Sequence, residues 1–322
     1  MVEKYLQMFS VLSYVMFFSL ILLEFIVSKY KANNDYELKD TVFNIGTGLF
    51  YLTIPLALNA ALTIFLYDFF SKFALFEMPG VWSALIKGEH LYLWAFVLLI
   101  LMDDFSYYWF HRISHVCRFL WCIHEVHHSS KKYNLTVFLR ASFIDYVPQG
   151  LFYIPLFIIG FKLEDIFFQM AINFTYQFWL HTKYTGKIKY FDEIFNTPSH
   201  HRVHHAKNIG YLDKNYGGIF IIWDKMFKTF AKEEEKVEYG VLHDLNTDNV
   251  FALNFVTFRD MFKASFRAKG LTNKFLYLLK APGWSHDGSS KTTKEIQEEY
   301  FSKSKLMEDN QKKYIQKKVS AV

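Results

Sequence analysis

The first half of the chain consists of long hydrophobic runs that are separated by short polar segments. Residues 8–28 read MFSVLSYVMFFSLILLEFIVS, and a helix needs about 20 such residues to cross a hydrocarbon core of about 30 Å. A second run extends from Thr41 to about Tyr67, where Pro55 predicts a kink, and a third starts at His90 and continues to Phe110. These three runs predict three helices that cross a membrane.

Two shorter hydrophobic segments, residues 147–161 and 164–180, come later in the chain. They join at Gly160, Phe161 and Lys162, which predicts a hairpin that enters the bilayer. The pattern leaves open whether this hairpin crosses completely or re-enters on the same side. We therefore predict an all-α integral membrane protein with about four to five membrane-embedded helices.

Basic residues in the loops orient this topology, because cytoplasmic loops carry an excess of Lys and Arg. With five spans the N-terminus would lie outside, and the basic loops would face the cytosol. The basic groups that fall on this side are Lys29, Lys31, Lys39, Arg112, Arg118, Lys131, Lys132, Arg140 and the Lys-rich C-terminal region.

The chain divides into three parts by composition. Residues 1–181 hold the membrane-embedded helices, and residues 182–284 form a cytosolic helical cap. Within the cap, residues 250–282 mix Phe, Leu and Met with Arg and Lys, which predicts an interfacial amphipathic helix. Residues 285–322 are charged and lack apolar periodicity, so we expect a mobile tail.

The overall composition agrees with a membrane location. Of the 322 residues, 52% are hydrophobic and 20% are aromatic, which exceeds the content of ordinary soluble domains. The net charge of +5 is spread over loops and tail, and favours contact with lipid head groups over nucleic-acid binding. The first run lacks a small-residue cleavage pattern and is expected to remain as an anchor. Cys117 and Cys122 cannot form a disulfide framework and are expected to pack internally.

Histidines are clustered in three short blocks. The chain has 13 histidines, of which only His90, His243 and His286 lie outside a pattern. On a helix, spacings of three and four residues bring side chains to one face, so each block makes a partial metal site. The histidines that follow the pattern are His111, His115, His124, His127, His128, His181, His200, His201, His204 and His205.

The number of imidazoles predicts two metal ions, because one zinc ion takes about four ligands. The ligands alone do not fix the metal. A dimetal centre at a membrane surface suits the oxidation of an unreactive C–H bond of a lipid, which needs a redox-active metal and oxygen, and iron is favoured. The motif HExxH formed by His124, Glu125 and His128 keeps a zinc hydrolase open as an alternative, and exposed surface histidines are the remaining one.

Several polar residues near the blocks are candidates for supporting roles. Asp104 shares a helix face with Tyr108 and His111, but it lies about 10 Å along the axis from His111, too far to be a direct ligand. It either supports the site through Tyr108 or pairs with an Arg or Lys of a loop. Glu24 in the first span is either an interface residue or a snorkelling end group, with the second favoured.

Two turns flank the third block. Asn215 and the three residues that follow it, Tyr216-Gly217-Gly218, predict a tight turn in which the glycines allow a positive φ or a close backbone approach. Before the block, Thr197 and Ser199 are candidate N-cap residues that would orient a helix carrying the histidines.

The quoted blocks carry a family resemblance. HRISH, HEVHHSSKKYNLTVFLR and NTPSHHRVHHAKN, followed by DKNYGGIFIIWDKMFKTF, resemble the fatty acid hydroxylase/sterol desaturase superfamily of membrane di-iron enzymes. The similarity runs from about Asp104 to Phe230. Within the superfamily, the chain is most similar to the alkylglycerol monooxygenase branch and to bacterial sterol desaturase-like proteins.

The resemblance implies a helical membrane anchor under a cytosolic cap, with two iron ions and O2 as co-substrate. It also implies a long-chain lipid substrate and an external reductant, either an electron donor protein or a reduced pterin such as tetrahydrobiopterin. His200, Asp104, Tyr108 and Asn215 become candidates for ligands or for groups that orient ligands. The metal ligands carried over by position are His111, His115, His124, His127, His128, His181, His201, His204 and His205.

Three functional hypotheses follow. The leading one is hydroxylation of a fatty acyl, alkylglycerol ether or sterol-like lipid. Desaturation is the alternative within the same class, because it needs the same ligands and differs in how the substrate carbon is held. A non-catalytic metal-binding membrane protein is the alternative from another class, and it would bind metal without consuming oxygen.

Overall fold

The computed structural model describes residues 2–245, 247 and 249–319, with side chains for residues 3–306 of these ranges except Val250. This part of the chain is helical, with two isolated β-bridges and no strand. Short 3₁₀ helices at Leu135–Leu139 and Val147–Tyr153 contribute to the interior. The helices are α1 Val2–Tyr30, α2 Leu38–Tyr51, α3 Ile54–Phe70, α4 Trp82–Lys87, α5 Leu93–Val116, α6 Arg118–His128, α7 Ile154–Ile159, α8 Leu163–Leu180, α9 Pro198–His204, α10 Ile222–Met226, α11 Val250–Arg267, α12 Leu271–Leu279 and α13 Thr293–Val319.

Three helical segments are long and apolar enough to cross a membrane: Glu3–Tyr30, Ile54–Phe73 and Leu93–Val116. α1 exposes large apolar side chains such as Val11, which is 61% exposed. Such a surface is compatible with lipid and not with water. The protein is therefore a multi-pass membrane protein, and a total of four to five embedded helices stays a prediction.

The second hydrophobic run is not one kinked helix. It forms α2 and α3, which are separated at Leu52 and Thr53, with Pro55 in the first turn of α3. The buried face of α2 packs on the 3₁₀ helix Leu135–Leu139, where the Asn44 amide donates to Thr136 Oγ1 at 3.0 Å. The run still contains one candidate span, Ile54–Phe73, but its expected extension back to Thr41 was wrong, because α2 has polar positions that bind this neighbouring segment.

The predicted hairpin exists, and Gly160 forms its corner. Gly160 has φ 104°, and a Cβ there would lie 1.9 Å from the Phe76 carbonyl oxygen, so only glycine fits. The two arms pack against α3 and α5 through a core that includes Leu66, Leu99, Phe157 and Ile166. Full crossing of the bilayer by this hairpin and its re-entry on the same side both stay predictions.

Glu24 is an interface residue, and the preferred expectation that it snorkels was wrong. Its side chain is 6% exposed. It accepts hydrogen bonds from Tyr36 Oη at 2.6 Å, from the Leu135 amide at 2.7 Å and from Thr182 Oγ1 at 2.5 Å. These bonds tie α1 to the segment that directly follows His181.

The second half of the chain differs from expectation in its helix boundaries. Residues 250–282 form two helices, α11 and α12, which expose apolar side chains such as Phe266 and Leu271. The C-terminal part contains the helix α13, and the Gln297 amide donates to the Ile209 carbonyl at 2.9 Å. The mobility predicted for residues 285–322 stays a prediction. Cys122 packs internally as expected, with its sulfur 3.8 Å from that of Met261.

Asp165 fastens α8 to the start of α4. Its fully buried carboxylate accepts from the Val81 amide at 3.0 Å and from the Ser83 amide at 2.7 Å. Because both amides would lose their acceptor, we expect Asp165→Ala to destabilise the protein by about 1–3 kcal/mol. Thermal unfolding in detergent measures this change, and Glu164→Ala, at the exposed neighbouring position, is the matched control. Equal unfolding midpoints for the two variants would contradict this role of Asp165.

Candidate metal centre

Four helices supply the histidines of the site. His111 and His115 lie on α5, and three further histidines lie on α6. His181 is the C-terminal cap of α8. The short helix α9 starts at Pro198 and carries the third block, and Thr197 occupies its N-cap position without a side-chain capping hydrogen bond. Helical spacing within each block and packing between the helices together direct the imidazoles inward.

The imidazoles form two groups. Within each group, one nitrogen of every ring lies within 4.8 Å of the corresponding nitrogens of the others, and all nine rings are buried. The groups adjoin, since the rings of His128 and His205 stack with centroids 4.4 Å apart. The first, called here the five-histidine cluster, contains His111, His115, His124, His128 and His204; the second, the four-histidine cluster, contains His127, His181, His201 and His205.

These nine histidines are the nine that the sequence assigned as ligands, and His200 is in neither group. The His200 ring packs on Phe230 instead, and its Nδ1 lies 3.4 Å from Thr197 Oγ1. Because His200 neighbours His201 on α9, its side chain points about 100° away from that of His201. The structure thus places His200 apart from the nine clustered histidines.

Backbone carbonyls fix the tautomer of four rings. His111 Nδ1 lies 2.9 Å from the Tyr216 carbonyl oxygen, and His204 Nδ1 lies 2.9 Å from that of Lys214. His127 and His181 make equivalent contacts at 3.0 Å with the carbonyls of Arg140 and Gln177. A carbonyl only accepts, so each Nδ1 carries the proton and each Nε2 presents a lone pair.

The resulting lone pairs face one another. His127 Nε2 and His181 Nε2 are 3.3 Å apart, although both rings hold their proton on Nδ1. Burial lowers the pKa of His127 to about 4, so this ring is neutral at pH 7 and brings no second proton. Two neutral acceptors at this distance repel each other unless an electron-pair acceptor lies between them. In the five-histidine cluster, the buried His115 Nε2 has no hydrogen-bond partner. The residues therefore fit bound metal ions.

Residues 213–216, called here the clamp segment, orient the five-histidine cluster. Lys214 and Tyr216 supply two of the carbonyls, and Asp213 Oδ1 lies 3.4 Å from His115 Nδ1. Asp213 and Asn215 have φ values of 56° and 57°, in the left-handed region where Asp and Asn are tolerated best. This alternation directs successive carbonyls and side chains toward α5 and α9. The sequence analysis missed Asp213, Lys214 and Tyr216, and only the D-x-N spacing hinted at the left-handed turns.

Two buried aspartates hold the clamp segment and its continuation. Asp224 accepts from the Tyr216 amide at 2.9 Å and from the Gly217 amide at 2.8 Å. Asp104 accepts from the Ile219 amide at 2.6 Å, the Phe220 amide at 2.9 Å and Trp223 Nε1 at 2.9 Å. Among the described residues Asp104 has no Arg or Lys partner, so the favoured expectation of such a pair was wrong. Backbone amides, instead of a cationic side chain, bind the Asp104 carboxylate.

The glycines of the predicted turn serve close approach and not a positive φ. A Cβ on Gly218 would lie 2.6 Å from Asp104 Oδ1, and one on Gly217 would lie 2.3 Å from the Phe220 carbonyl oxygen. Neither glycine has a positive φ, which falls on Asp213 and Asn215 instead. The turn can therefore lie against α5 only because both side chains are absent.

Tyr108 and Asn215 support the clamp segment indirectly. Tyr108 Oη lies 3.0 Å from Thr229 Oγ1, which in turn donates to Asp224 at 2.6 Å. The Asn215 amide donates to the carbonyls of His200 and Ala231. Tyr108 is thus linked through Thr229 to Asp224, whereas Asp104 binds backbone amides and Trp223 and does not act through Tyr108 as one of the two expectations had it. Both side chains orient backbone and have no place in either histidine cluster.

Glu125 is placed unlike the general base of a zinc protease. Its carboxylate accepts from Thr257 Oγ1 at 2.6 Å, and Thr257 lies on α11, which gives no histidine to either cluster. Burial raises the pKa of Glu125 to about 7. His124 and His128 belong to the five-histidine cluster together with three further rings. The arrangement therefore gives no support to a lone HExxH site.

Metal counting tests the division into two clusters. We expect the protein reconstituted with ferrous iron to hold one ion in each cluster, measured by elemental analysis after gel filtration in detergent. His204→Ala should weaken iron binding in the five-histidine cluster and His127→Ala in the four-histidine cluster, because each removes a lone pair aimed at the centre. His200→Ala is the control on the same helix and should keep both ions; loss of an ion in this control would contradict the assignment.

A second prediction concerns Asp213. Its carboxylate stabilises the Nδ1 proton of His115, so Asp213→Asn should lower the iron affinity of the five-histidine cluster by about 10–100-fold. Competition with a chelator measures the affinity. Lys214→Ala is the matched control, because the carbonyl that binds His204 remains. Equal iron affinities for Asp213→Asn and the parent protein would exclude this role of Asp213.

The comparisons with known proteins agree with this geometry. Residues 96–229 match the fatty acid hydroxylase family. Alkylglycerol monooxygenase of Danio rerio is 35% identical over 273 residues, which cover 84% of this chain and 58% of that protein. The Homo sapiens protein of the same name is 36% identical over 271 residues, covering 83% and 58% of the two chains.

A more distant relative is ornithine lipid hydroxylase OlsE of Rhizobium tropici, which is 32% identical over 135 residues, 42% of this chain and 41% of that protein. No solved structure matches the chain. The matched region spans less than two thirds of the length of the alkylglycerol monooxygenases. Residues 96–229, which hold all nine histidines of the two clusters, thus belong to the fatty acid hydroxylase family, and 84% of the chain is similar to alkylglycerol monooxygenase.

Proposed function

We propose that the protein is a membrane-bound di-iron oxygenase that uses O2 to hydroxylate a lipid, with an alkylglycerol ether as the first candidate substrate. The observation that carries this proposal is the convergence of nine buried imidazoles into two adjoining clusters. Their lone pairs, fixed by backbone carbonyls in four of the rings, face shared centres. The relatedness to proteins named alkylglycerol monooxygenase supports the choice of substrate.

The five-histidine cluster would hold one iron ion and the four-histidine cluster the other. When bound, an iron pair supplies the redox chemistry by which O2 attacks an aliphatic C–H bond. The protein keeps the imidazoles neutral through burial, which also lowers the pKa values of His128 and His205 well below the usual range. It also keeps bulk water from the centre, because the nine rings are at most 7% exposed.

The membrane location supports a lipid substrate. Tyr107, which directly precedes Tyr108 on α5, packs on His111 with ring centroids 5.4 Å apart. Since Leu93–Val116 qualifies as a membrane span, the five-histidine cluster lies at the end of a membrane helix. We propose that this end faces the cytosol, since the loops next to the histidine blocks carry Lys and Arg. Residues 182–284 would then be a cap over the membrane-embedded part, residues 1–181, with residues 285–322 as a tail.

The remaining partners follow from the chemistry. Hydroxylation of a lipid by O2 also consumes two electrons that the lipid does not supply. The enzyme therefore needs a reductant, either an electron donor protein or a reduced pterin such as tetrahydrobiopterin. The similarity to ornithine lipid hydroxylase OlsE makes ornithine lipids a second candidate class of substrate. Desaturation would use the same iron ligands, and product mass separates it from hydroxylation.

Turnover in reconstituted membranes tests the proposal. With ferrous iron, O2, a reduced pterin and hexadecylglycerol ether, we expect one oxygen atom of isotopically labelled O2 in the product, detected by mass spectrometry either as a hydroxylated lipid or, if the ether-linked carbon is oxidised, as labelled hexadecanal released with glycerol when the hemiacetal collapses. His127→Ala should abolish the product because it removes a ligand, and His200→Ala should retain it. Loss of two hydrogens would instead identify a desaturase. Iron binding without O2 consumption on any lipid class would overturn the enzymatic proposal in favour of a metal-binding protein.

A further inference from the structure

A cavity of about 350 Å³ lies among α1, α3, α5 and α8, on the membrane side of the histidine clusters. It follows α8 from Phe167 to Gln177, ten residues that rise about 15 Å. The far end is apolar, with Leu6 and Phe9 of α1 opposite Phe167. An elongated apolar cavity of this kind suits a hydrocarbon chain.

The near end of the cavity lies close to both histidine clusters, although no histidine of the described residues lines it. Tyr107 lines the cavity and packs on His111 of the five-histidine cluster. Gln177 also lines it, and its carbonyl accepts the Nδ1 proton of His181 in the four-histidine cluster at 3.0 Å. Tyr107 and Gln177 therefore each contact both the cavity and one histidine of a cluster.

Two hydroxyl groups at this end are free to bind a ligand. Tyr107 and Tyr146 both line the cavity, and neither hydroxyl has a hydrogen-bond partner among the described residues. Tyr153, which also lines the cavity, donates to Asp103 at 2.9 Å. A hydroxyl that faces a largely apolar cavity without a partner can donate to a ligand oxygen, and this hydrogen bond would favour binding.

The backbone is strained at Tyr146 in a way that places its ring in the cavity. Tyr146 has φ 59°, which an aromatic residue rarely adopts and which is energetically unfavourable. The buried Asp145 stabilises this turn, since its carboxylate accepts from the Tyr146 amide at 3.0 Å and from the Ser142 amide at 3.3 Å. The Tyr146 ring then packs on Phe110 and Phe174, with centroids 5.9 Å and 6.2 Å away. Strain of this kind is typical of positions that contact a ligand.

We infer that this cavity receives the alkyl chain of the substrate and that Tyr107 and Tyr146 are positioning residues that donate hydrogen bonds to an ether or hydroxyl oxygen at the end of that chain. The oxygen end of the lipid then lies at the histidine clusters, and the chain extends along α8 toward Phe9. This inference rests on the proposed function for its substrate class. It adds the residues that orient the lipid and a limit on chain length.

Photolabelling locates the chain without requiring turnover. The probe is a dodecylglycerol ether, whose extended chain is similar in length to the cavity, with a diazirine at the end of the chain. It is added to the iron-loaded protein in detergent without O2, and labelled residues are identified by mass spectrometry. We expect labels at the far end, on Leu6, Phe9 or Phe167. Ala60→Leu fills the cavity from α3 and should reduce labelling several-fold, whereas Ala61→Leu, on the exposed face of the same helix, should not. Labels confined to residues outside the cavity would overturn the inference.

Competition tests the two hydroxyls. The competitors are the unlabelled ether lipid and its carbon analogue, in which a methylene group replaces the ether oxygen. The parent protein should prefer the ether by about fivefold to tenfold, as expected for a ligand hydrogen bond. Tyr107→Phe and Tyr146→Phe should reduce this preference, and Tyr190→Phe, at an exposed position, should keep it. Equal competition by the two lipids in the parent protein would refute the positioning role.

Failure of this inference and failure of the proposed function give different results. A parent protein that oxidises the ether lipid but is labelled outside the cavity retains its proposed function and loses the inferred chain site. Labelling within the cavity, with ether preference but without turnover, supports the chain site and counts against the oxygenase.

Discussion

The site depends on neutral imidazoles whose lone pairs are forced to face one another inside a protein. A ring donates through Nδ1 to a backbone carbonyl, as His127 does to Arg140 and His181 does to Gln177, and this leaves Nε2 as an acceptor. Burial prevents a second proton from binding, as the lowered pKa of His127 indicates. Without a cation, the facing lone pairs repel one another. A metal ion that binds between them removes this repulsion, so the folded structure favours metal binding.

Most of the surrounding polar structure holds these carbonyls in place. Asp104 and Asp224 bind amides of residues 216–220, which positions the Tyr216 carbonyl against His111. Glu24 performs a related function on the other side, because it connects α1 to the segments that begin at Leu135 and follow His181. Buried carboxylates are costly unless they are fully hydrogen-bonded, and here backbone amides and hydroxyls meet that requirement. These hydrogen bonds offset the free-energy cost of burying the carboxylates and hold the metal-ligand set rigid.

The inferred chain site would connect this rigid centre with the membrane. Its far end is apolar like the bilayer interior, while Tyr107 and Gln177 at its near end contact one histidine of each cluster. A lipid bound there would leave the bilayer without exposing its chain to water, so specificity would come from the few polar groups near the histidines. The strained turn at Tyr146 and the buried Asp145 that stabilises it are the clearest structural sign of such selection.

The sequence by itself determined the nature of the site and the type of fold. Hydrophobic runs identified α1, α5 and the hairpin whose second arm is α8, because the length of an apolar run is a local property that reflects the thickness of a bilayer. Histidine spacing identified ten candidate histidines, because positions three and four residues apart share a helix face, and the family resemblance implied the nine of them that converge. The resemblance identified the family, which the comparisons confirmed.

Only the tertiary structure decided which histidines share a cluster and what fixes them. His127 and His128 are neighbours in sequence but belong to different clusters, because adjacent positions on a helix point about 100° apart toward different partners. The partners of Asp104, the left-handed turns at Asp213 and Asn215 and the separation of α2 from α3 also depend on distant segments. Carbonyls such as that of Tyr216 leave no residue-specific signal in a sequence, since every residue has one, and only folding determines which of them meets an imidazole.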